Sequence, residues 1–109
     1  MELININDAM SRLNNNKKLY IMLLKKFDGN GMLDDLLSKI ASGDASAAEA
    51  SAHTLKGVAA NLSLADLREK TETVDTLLKA GDLNVDVEGM KESVSQTVEA
   101  VAAWIAENS

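Results

Sequence analysis

Apolar residues recur three and four positions apart along nearly the whole 109-residue chain, and this spacing is typical of helices that bury one face. The chain contains no proline, and only short polar or glycine-containing segments interrupt the pattern. Those segments, at 28–31, 42–44 and 80–86, have the backbone freedom that turns require. The spacing predicts helices over residues 6–13, 17–27, 33–40, 45–62, 64–78 and 90–105.

Short connections between these predicted helices imply that consecutive helices run antiparallel. We therefore expect an all-α fold, namely an antiparallel four-helix bundle with one or two short extra helices at its N-terminal end. The first helix is too short for a full bundle member, and we expect it to close one end of the core. Ser63 followed by Asp66 is a capping-box pattern and predicts the start of the fifth helix. The length predicts a single domain over 1–109.

Charge and composition argue against several classes of protein. The net charge is −6 and aromatic residues make up 3%, so a basic stripe or a base-stacking platform for nucleic acid is not expected. The basic pairs Lys17–Lys18 and Lys25–Lys26 fit the solvated edge of a helix better. The absence of cysteine excludes disulfides and thiolate metal sites. Without a signal-peptide pattern or an apolar run of about 20 residues, we expect a cytoplasmic protein with no membrane partner.

The single histidine of the chain, His53, lies in the fourth predicted helix. On a helical wheel it falls about 160° from Leu55, which belongs to the apolar stripe of that helix. His53 is therefore predicted to face solvent. The residues predicted to share this outer face are mostly small: Ser46, Glu49, Ala50, Lys56, Gly57 and Ala60.

This face suits a group that accepts and holds a phosphoryl group. An exposed imidazole has a reference pKa of about 6.5, so much of it is neutral and nucleophilic in a cytoplasm. Lys56, one turn along, can reach an anion on the ring. Gly57 leaves a gap, which explains a residue that costs a helix about 1 kcal/mol relative to alanine. A metal site is disfavoured, because one histidine and Glu49 offer too few ligands.

The segment "AHTLKGVAANLSLADL" resembles the signature of the histidine-containing phosphotransfer (HPt) domain. The upstream "LYIMLLKKF" and the later "LLKAGDL" resemble the second helix of the family and the turn before its last helix. The family pattern has glycine where this chain has Ser63, and we expect a different turn there without loss of function. The positions that fit the central signature are His53, Leu55, Lys56, Gly57, Ala59, Ala60 and Leu62.

The resemblance implies a phosphocarrier of bacterial-type two-component phosphorelays. It implies that His53 takes a phosphoryl group from the phospho-aspartate of a receiver domain and passes it to another receiver. It further implies that Lys56 stabilises the phosphate, that Gly57 leaves room for it, and that a polar residue at Asp75 hydrogen-bonds the other ring nitrogen of His53. Some relatives have glutamine at that position.

The expected partners are response-regulator receivers or a hybrid sensor histidine kinase, bound by a monomer. The expected magnesium ion belongs to the receiver, and the chain itself needs no cofactor. No nucleotide-binding pattern is present, so we expect no autokinase activity. The alternative is a helical adaptor that binds a receiver or a partner helix without any phosphate chemistry.

Overall fold

The computed structural model describes residues 2–109, and these form helices and no strand. The all-α prediction is confirmed. The domain boundary predicted at Met1 lies outside the described residues. In chain order the helices are α1 Ile6–Arg12, α2 Lys17–Lys25, α3 Gly29–Ala41, α4 Ala45–Asn61, α5 Ala65–Lys79 and α6 Val87–Asn108.

Helices α3 to α6 pack as a four-membered ring, in which α4 lies between α3 and α5, and α6 closes the ring against α5 and α3. Their connections are short, so successive helices run antiparallel. Helices α1 and α2 lie outside the ring, and α2 packs on α6. Within 2–109, no helix is both long enough and apolar enough to cross a membrane. The centre of the bundle contains fully buried residues from each of its helices, including Leu36, Leu55, Leu67 and Val94.

Side-chain caps fix where most of these helices begin. In each case an Asn or Asp accepts a hydrogen bond from the backbone N–H three residues further on, which satisfies one of the free donors of the first turn. The capping residues are Asn5, Asn16, Asp28, Asp44 and Asp86.

The predicted break over 28–31 is shorter than expected, because α3 already begins at Gly29. Asp28 is the cap and accepts from Gly31 N at 3.0 Å. Gly29 is buried, and a Cβ at this position would lie 2.7 Å from Phe27 Cζ and 3.1 Å from Val98 Cγ2. The glycine therefore allows close packing at the start of a helix and does not form a turn.

The capping-box prediction at Ser63 is wrong. Ser63 follows α4 with φ +57, and α5 is preceded by Leu64, which makes no side-chain cap bond. A left-handed residue after a helix is usually glycine. Ser63 thus adopts a left-handed conformation that glycine more often occupies. Its hydroxyl donates to Asp8 Oδ2 at 2.7 Å, while Asp66 accepts instead from Ser93 at 2.7 Å.

The N-terminal helices close the end of the bundle at this α4–α5 turn, as predicted. Asn5 N donates to Ser63 O at 2.9 Å. The buried Tyr20 hydroxyl of α2 donates to Leu62 O at 2.6 Å, and its ring meets Trp104 edge-on with 5.2 Å between centroids. Burial raises the pKa of Tyr20 to about 12, so the hydroxyl remains a donor over the physiological range.

Candidate functional site

His53 is the ninth of the 17 residues of α4 and its side chain is 65% exposed. On the opposite face, Ala52, Leu55 and Ala59 are completely buried. The exposure predicted from the helical wheel is therefore confirmed. The imidazole lies on an open face at the middle of a long helix.

Gly57 lies one turn after His53 and is exposed. A Cβ built at this glycine meets no atom within 4 Å in the described part of the chain. Packing inside the chain therefore does not demand glycine here, although glycine weakens a helix interior. The rest of this face also consists of small side chains, as the sequence predicted: Ser46 and Ala50 are exposed and Ala60 is half-buried.

Asp75 of α5 is the buried anchor of the site, with a side chain that is 1% exposed. Its Oδ2 accepts a hydrogen bond from Lys56 Nζ at 2.9 Å and lies 3.3 Å from Lys79 Nζ. The same oxygen is 3.9 Å from His53 Nδ1, which is too long for a hydrogen bond. The structure therefore brings Asp75 to the position that the resemblance implied but does not form the implied bond to histidine.

Lys79 is the residue of this cluster that the sequence analysis missed. It lies four residues after Asp75 on α5, a spacing at which side chains of opposite charge meet on a helix. That spacing was a usable signal once Asp75 was suspected. The ammonium groups of Lys56 and Lys79 thus share one carboxylate oxygen beside the histidine.

Glu49, one turn before His53, has a carboxylate oxygen within 4.8 Å of one of Asp75, and the pKa values of the two carboxyl groups shift in opposite directions. Burial alone would raise the pKa of Asp75, but hydrogen bonds with Glu49, Lys56 and Lys79 lower it to about 2. The hydrogen bond with Asp75, followed by burial, raises the pKa of Glu49. The pair therefore consists of an ionised Asp75 and a more readily protonated Glu49.

Three possible metal-ligand atoms lie within 4.8 Å of one another, one each from Glu49, His53 and Asp75. The two ammonium groups beside Asp75 repel a divalent cation from these atoms. We therefore assign no metal to these residues. The arrangement fits a buried carboxylate that orients two lysines and an imidazole.

A second polar cluster fixes the other flank of α4 against α3. Ser51 donates to Asp35 Oδ2 at 2.6 Å. Lys39 Nζ donates to Ser51 Oγ at 2.8 Å and to Asp35 Oδ2 at 3.0 Å. The hydrogen bonds from Ser51 and Lys39 lower the pKa of Asp35. This cluster sets the position of α4 without contacting His53.

Comparison with protein families finds a match to the Hpt domain over residues 28–104. The match covers most of the chain, from the cap of α3 to Trp104 in α6, and the chain belongs to the Hpt domain family. Domains of this family are phosphocarriers that carry out histidine phosphotransfer in two-component signalling and interact with receiver domains or histidine kinases. Comparison with curated proteins and with solved structures gave no match. Helices α1 and α2 precede the matched region.

Proposed function

We propose that this chain is a phosphocarrier of a phosphorelay, which accepts a phosphoryl group on His53 from a receiver phospho-aspartate and passes it to another receiver. The observation that carries the proposal is the environment of the ring. A single imidazole, 65% exposed, lies beside the open position of Gly57 and has a buried carboxylate behind Nδ1. Nε2, on the other side of the ring, is the nitrogen available to a partner.

The reaction needs a neutral ring with its proton on Nδ1. The Nε2 lone pair then forms the P–N bond while the P–O bond to the donor aspartate breaks, and the aspartate leaves as a carboxylate. The imidazole becomes cationic when Nε2 is phosphorylated and Nδ1 keeps its proton. The ionised Asp75, 3.9 Å from Nδ1, stabilises that cation and favours the required tautomer. Transfer to an acceptor reverses these steps.

Lys56 and Lys79 supply positive charge for the transferring group. Phosphoryl transfer spreads negative charge over three equatorial oxygens, and positioned cations provide most of the catalysis. The side chains of these lysines are 25% and 55% exposed, so their flexible stems can turn from Asp75 to phosphoryl oxygens on the ring. The remaining positive charge comes from the magnesium ion that we expect on the receiver.

The decisive variant is His53→Gln, because it removes the nucleophile at an exposed position. Exposed substitutions change stability by about 0.5 kcal/mol or less, so the fold is expected to survive. We expect this variant to show the circular dichroism of the wild type and no acid-labile phosphate after mixing with a phosphorylated receiver. Wild type is expected to stay unlabelled with ATP and magnesium alone.

A variant that still accepts phosphoryl groups would show that another residue is the acceptor. Labelling of wild type from ATP without a partner would contradict the phosphocarrier assignment. If wild type binds the receiver but never becomes labelled, the helical adaptor is the better description.

A further inference from the structure

The buried side of the His53 site contains the carboxyl groups of Glu49 and Asp75, which have oxygen atoms within 4.8 Å of each other, and the proposed transfer uses the charge of only Asp75. Glu49 Oε2 and Asp75 Oδ1 are both buried, and neither receives a hydrogen bond from a donor elsewhere in the described chain. Two ionised carboxylates repel each other strongly when they share a site shielded from water. A single proton held by the pair relieves the repulsion and supplies the missing donor.

The contacts of the two groups show which of them holds the proton. Asp75 has ammonium groups at 2.9 and 3.3 Å, which stabilise its ionised form. Glu49 has no ammonium group within salt-bridge distance in the described chain. Protonation therefore favours Glu49, in agreement with the directions of the two pKa shifts.

We infer that Glu49 is a positioning residue that holds one proton, donates it to Asp75 and thereby sets the charge behind His53. Its role in transfer rests on the proposed function. With Glu49 neutral, Asp75, Lys56 and Lys79 leave one positive charge beside a neutral ring. With Glu49 ionised that surplus disappears, and the site attracts an incoming phosphoryl group less strongly.

The shared proton also protects Asp75 after transfer. When Lys56 and Lys79 turn toward phosphoryl oxygens, Asp75 loses two partners, and water cannot replace them at a side chain that is 1% exposed. A proton on Glu49 then remains as its hydrogen bond. Glu49 should accordingly hold its proton more tightly once His53 is phosphorylated.

The charged groups around the pair are few. From α4 these are His53 and Lys56, and from α5 Lys79. On α3, Lys39 and Asp35 pair with each other beside Ser51, on the other flank of α4. On α6, Lys91 pairs with Glu88 at 3.5 Å. A carboxyl titration that is sensed at His53 above the ordinary carboxyl range therefore reports Glu49.

Because the chain has one histidine, its ring resonances are resolved in a proton–carbon NMR spectrum of the intact protein. We expect the His53 signal to show a small inflection that follows the ionisation of Glu49, whose pKa is raised. Glu49→Gln should remove this inflection, because the amide can still donate to Asp75 but does not ionise. The matched control, Glu99→Gln on α6, removes one exposed carboxylate and should keep the inflection.

Carboxyl carbon shifts give a direct reading of Glu49. We expect Glu49 to titrate above the ordinary glutamate range in wild type and to return to that range in Asp75→Asn. An ordinary titration of Glu49 in wild type would overturn the inference. This measurement on wild type decides the question even if either variant fails to fold.

Single-turnover transfer from one phosphorylated receiver tests the role of Glu49 in transfer. At each pH the rate of wild type is divided by the rate of Glu49→Gln, because the pH dependence of the receiver itself then cancels. As pH rises through the Glu49 titration, we expect this ratio to fall by about tenfold, equivalent to about 1.4 kcal/mol. A ratio that stays constant would overturn the role of Glu49 in transfer. The NMR titrations need no receiver, so a chain that shows the shared proton but accepts no phosphoryl group would contradict only the proposed function.

Discussion

At the scale of single residues, the cations beside His53 act as a pair. Lys56 was expected from the sequence to reach an anion on the ring, but in the structure it is bound to Asp75, and Lys79 contacts the same oxygen. Each lysine therefore has a neighbour that can take over part of its electrostatic role.

We predict that Lys56→Ala slows transfer from a phosphorylated receiver by about tenfold, and that the double variant Lys56→Ala/Lys79→Ala slows it by about a hundredfold or more. Single-turnover kinetics measure both. Lys70→Ala is the matched control, because Lys70 pairs with Asp66 on the same helix without reaching His53. If the double variant transfers at the wild-type rate, the two lysines are ordinary surface charges.

Gly57 gives a second prediction at this scale. Gly57→Gln should stabilise α4 by about 0.5 kcal/mol, because glycine is the poorer helix former and a Cβ meets no neighbour there. The same variant should strongly slow transfer, since its side chain fills the gap beside the ring. Urea unfolding and transfer kinetics test the two effects, with Ser46→Gln, about three turns from Gly57 on the same exposed face, as the control. Unchanged transfer would mean that the gap has no role.

The sequence predicted His53, Lys56 and Gly57 as neighbours because all three lie on one face of one helix, where the spacing along the chain fixes the geometry. The contacts between helices were harder to predict from the sequence. Asp75 was placed by the family resemblance, and its bonds to lysines could not be deduced because side-chain rotamers across α4 and α5 decide them. The shared proton with Glu49 depends on burial, which only the packed bundle shows.

At the scale of helices, the apolar spacing located each element to within a few residues. Two differences between the predicted and the observed structure arise because glycine and serine each occur in more than one kind of local structure. Glycine at 29 was interpreted as a turn, but close packing against Phe27 and Val98 explains it. Ser63 was interpreted as a cap, but its backbone conformation and its bond to Asp8 place it in the turn after α4.

The bond from Tyr20 of α2 to Leu62 O at the end of α4 can be tested directly. Tyr20→Phe keeps the ring packed against Trp104 but leaves a buried carbonyl without this donor, which costs about 1–2 kcal/mol. We expect urea unfolding to show that loss and transfer to be retained. Thr73→Val, which removes an exposed hydroxyl bonded to Glu69 O, should change stability by about 0.5 kcal/mol or less. Equal stability of Tyr20→Phe and wild type would show that the bond does not hold α2 in place.

At the scale of the whole molecule, acid stability depends on the buried pair. The folded pKa of Asp75, about 2, is below the ordinary 3.8, so its contribution of about 2 kcal/mol is present above pH 4 and is lost as pH falls toward 2. The folded pKa of Glu49 is raised above 4.5, so its contribution is present below that pH and is lost as pH rises through the raised value.

Neither group titrates in the double variant Glu49→Gln/Asp75→Asn. The opposite signs therefore predict that the free energy of unfolding of wild type exceeds that of the double variant most at about pH 4 to 4.5. This difference should shrink on both sides of that range. Urea unfolding at a series of pH values measures it, and Glu99→Gln should follow wild type throughout. A difference that is constant with pH would contradict both assigned ionisation states.

The bundle is a rod of 42 × 23 × 21 Å, and the imidazole of His53 lies on the long side, at the midpoint of α4. A globular partner must approach such a ring broadside and cover the helix on both sides of it. If the chain has the proposed function, the donor and the acceptor therefore compete for one binding surface and bind one after the other. The turnover of the relay is then limited by how quickly the first partner dissociates, so complexes with short residence times serve this molecule better than tight ones.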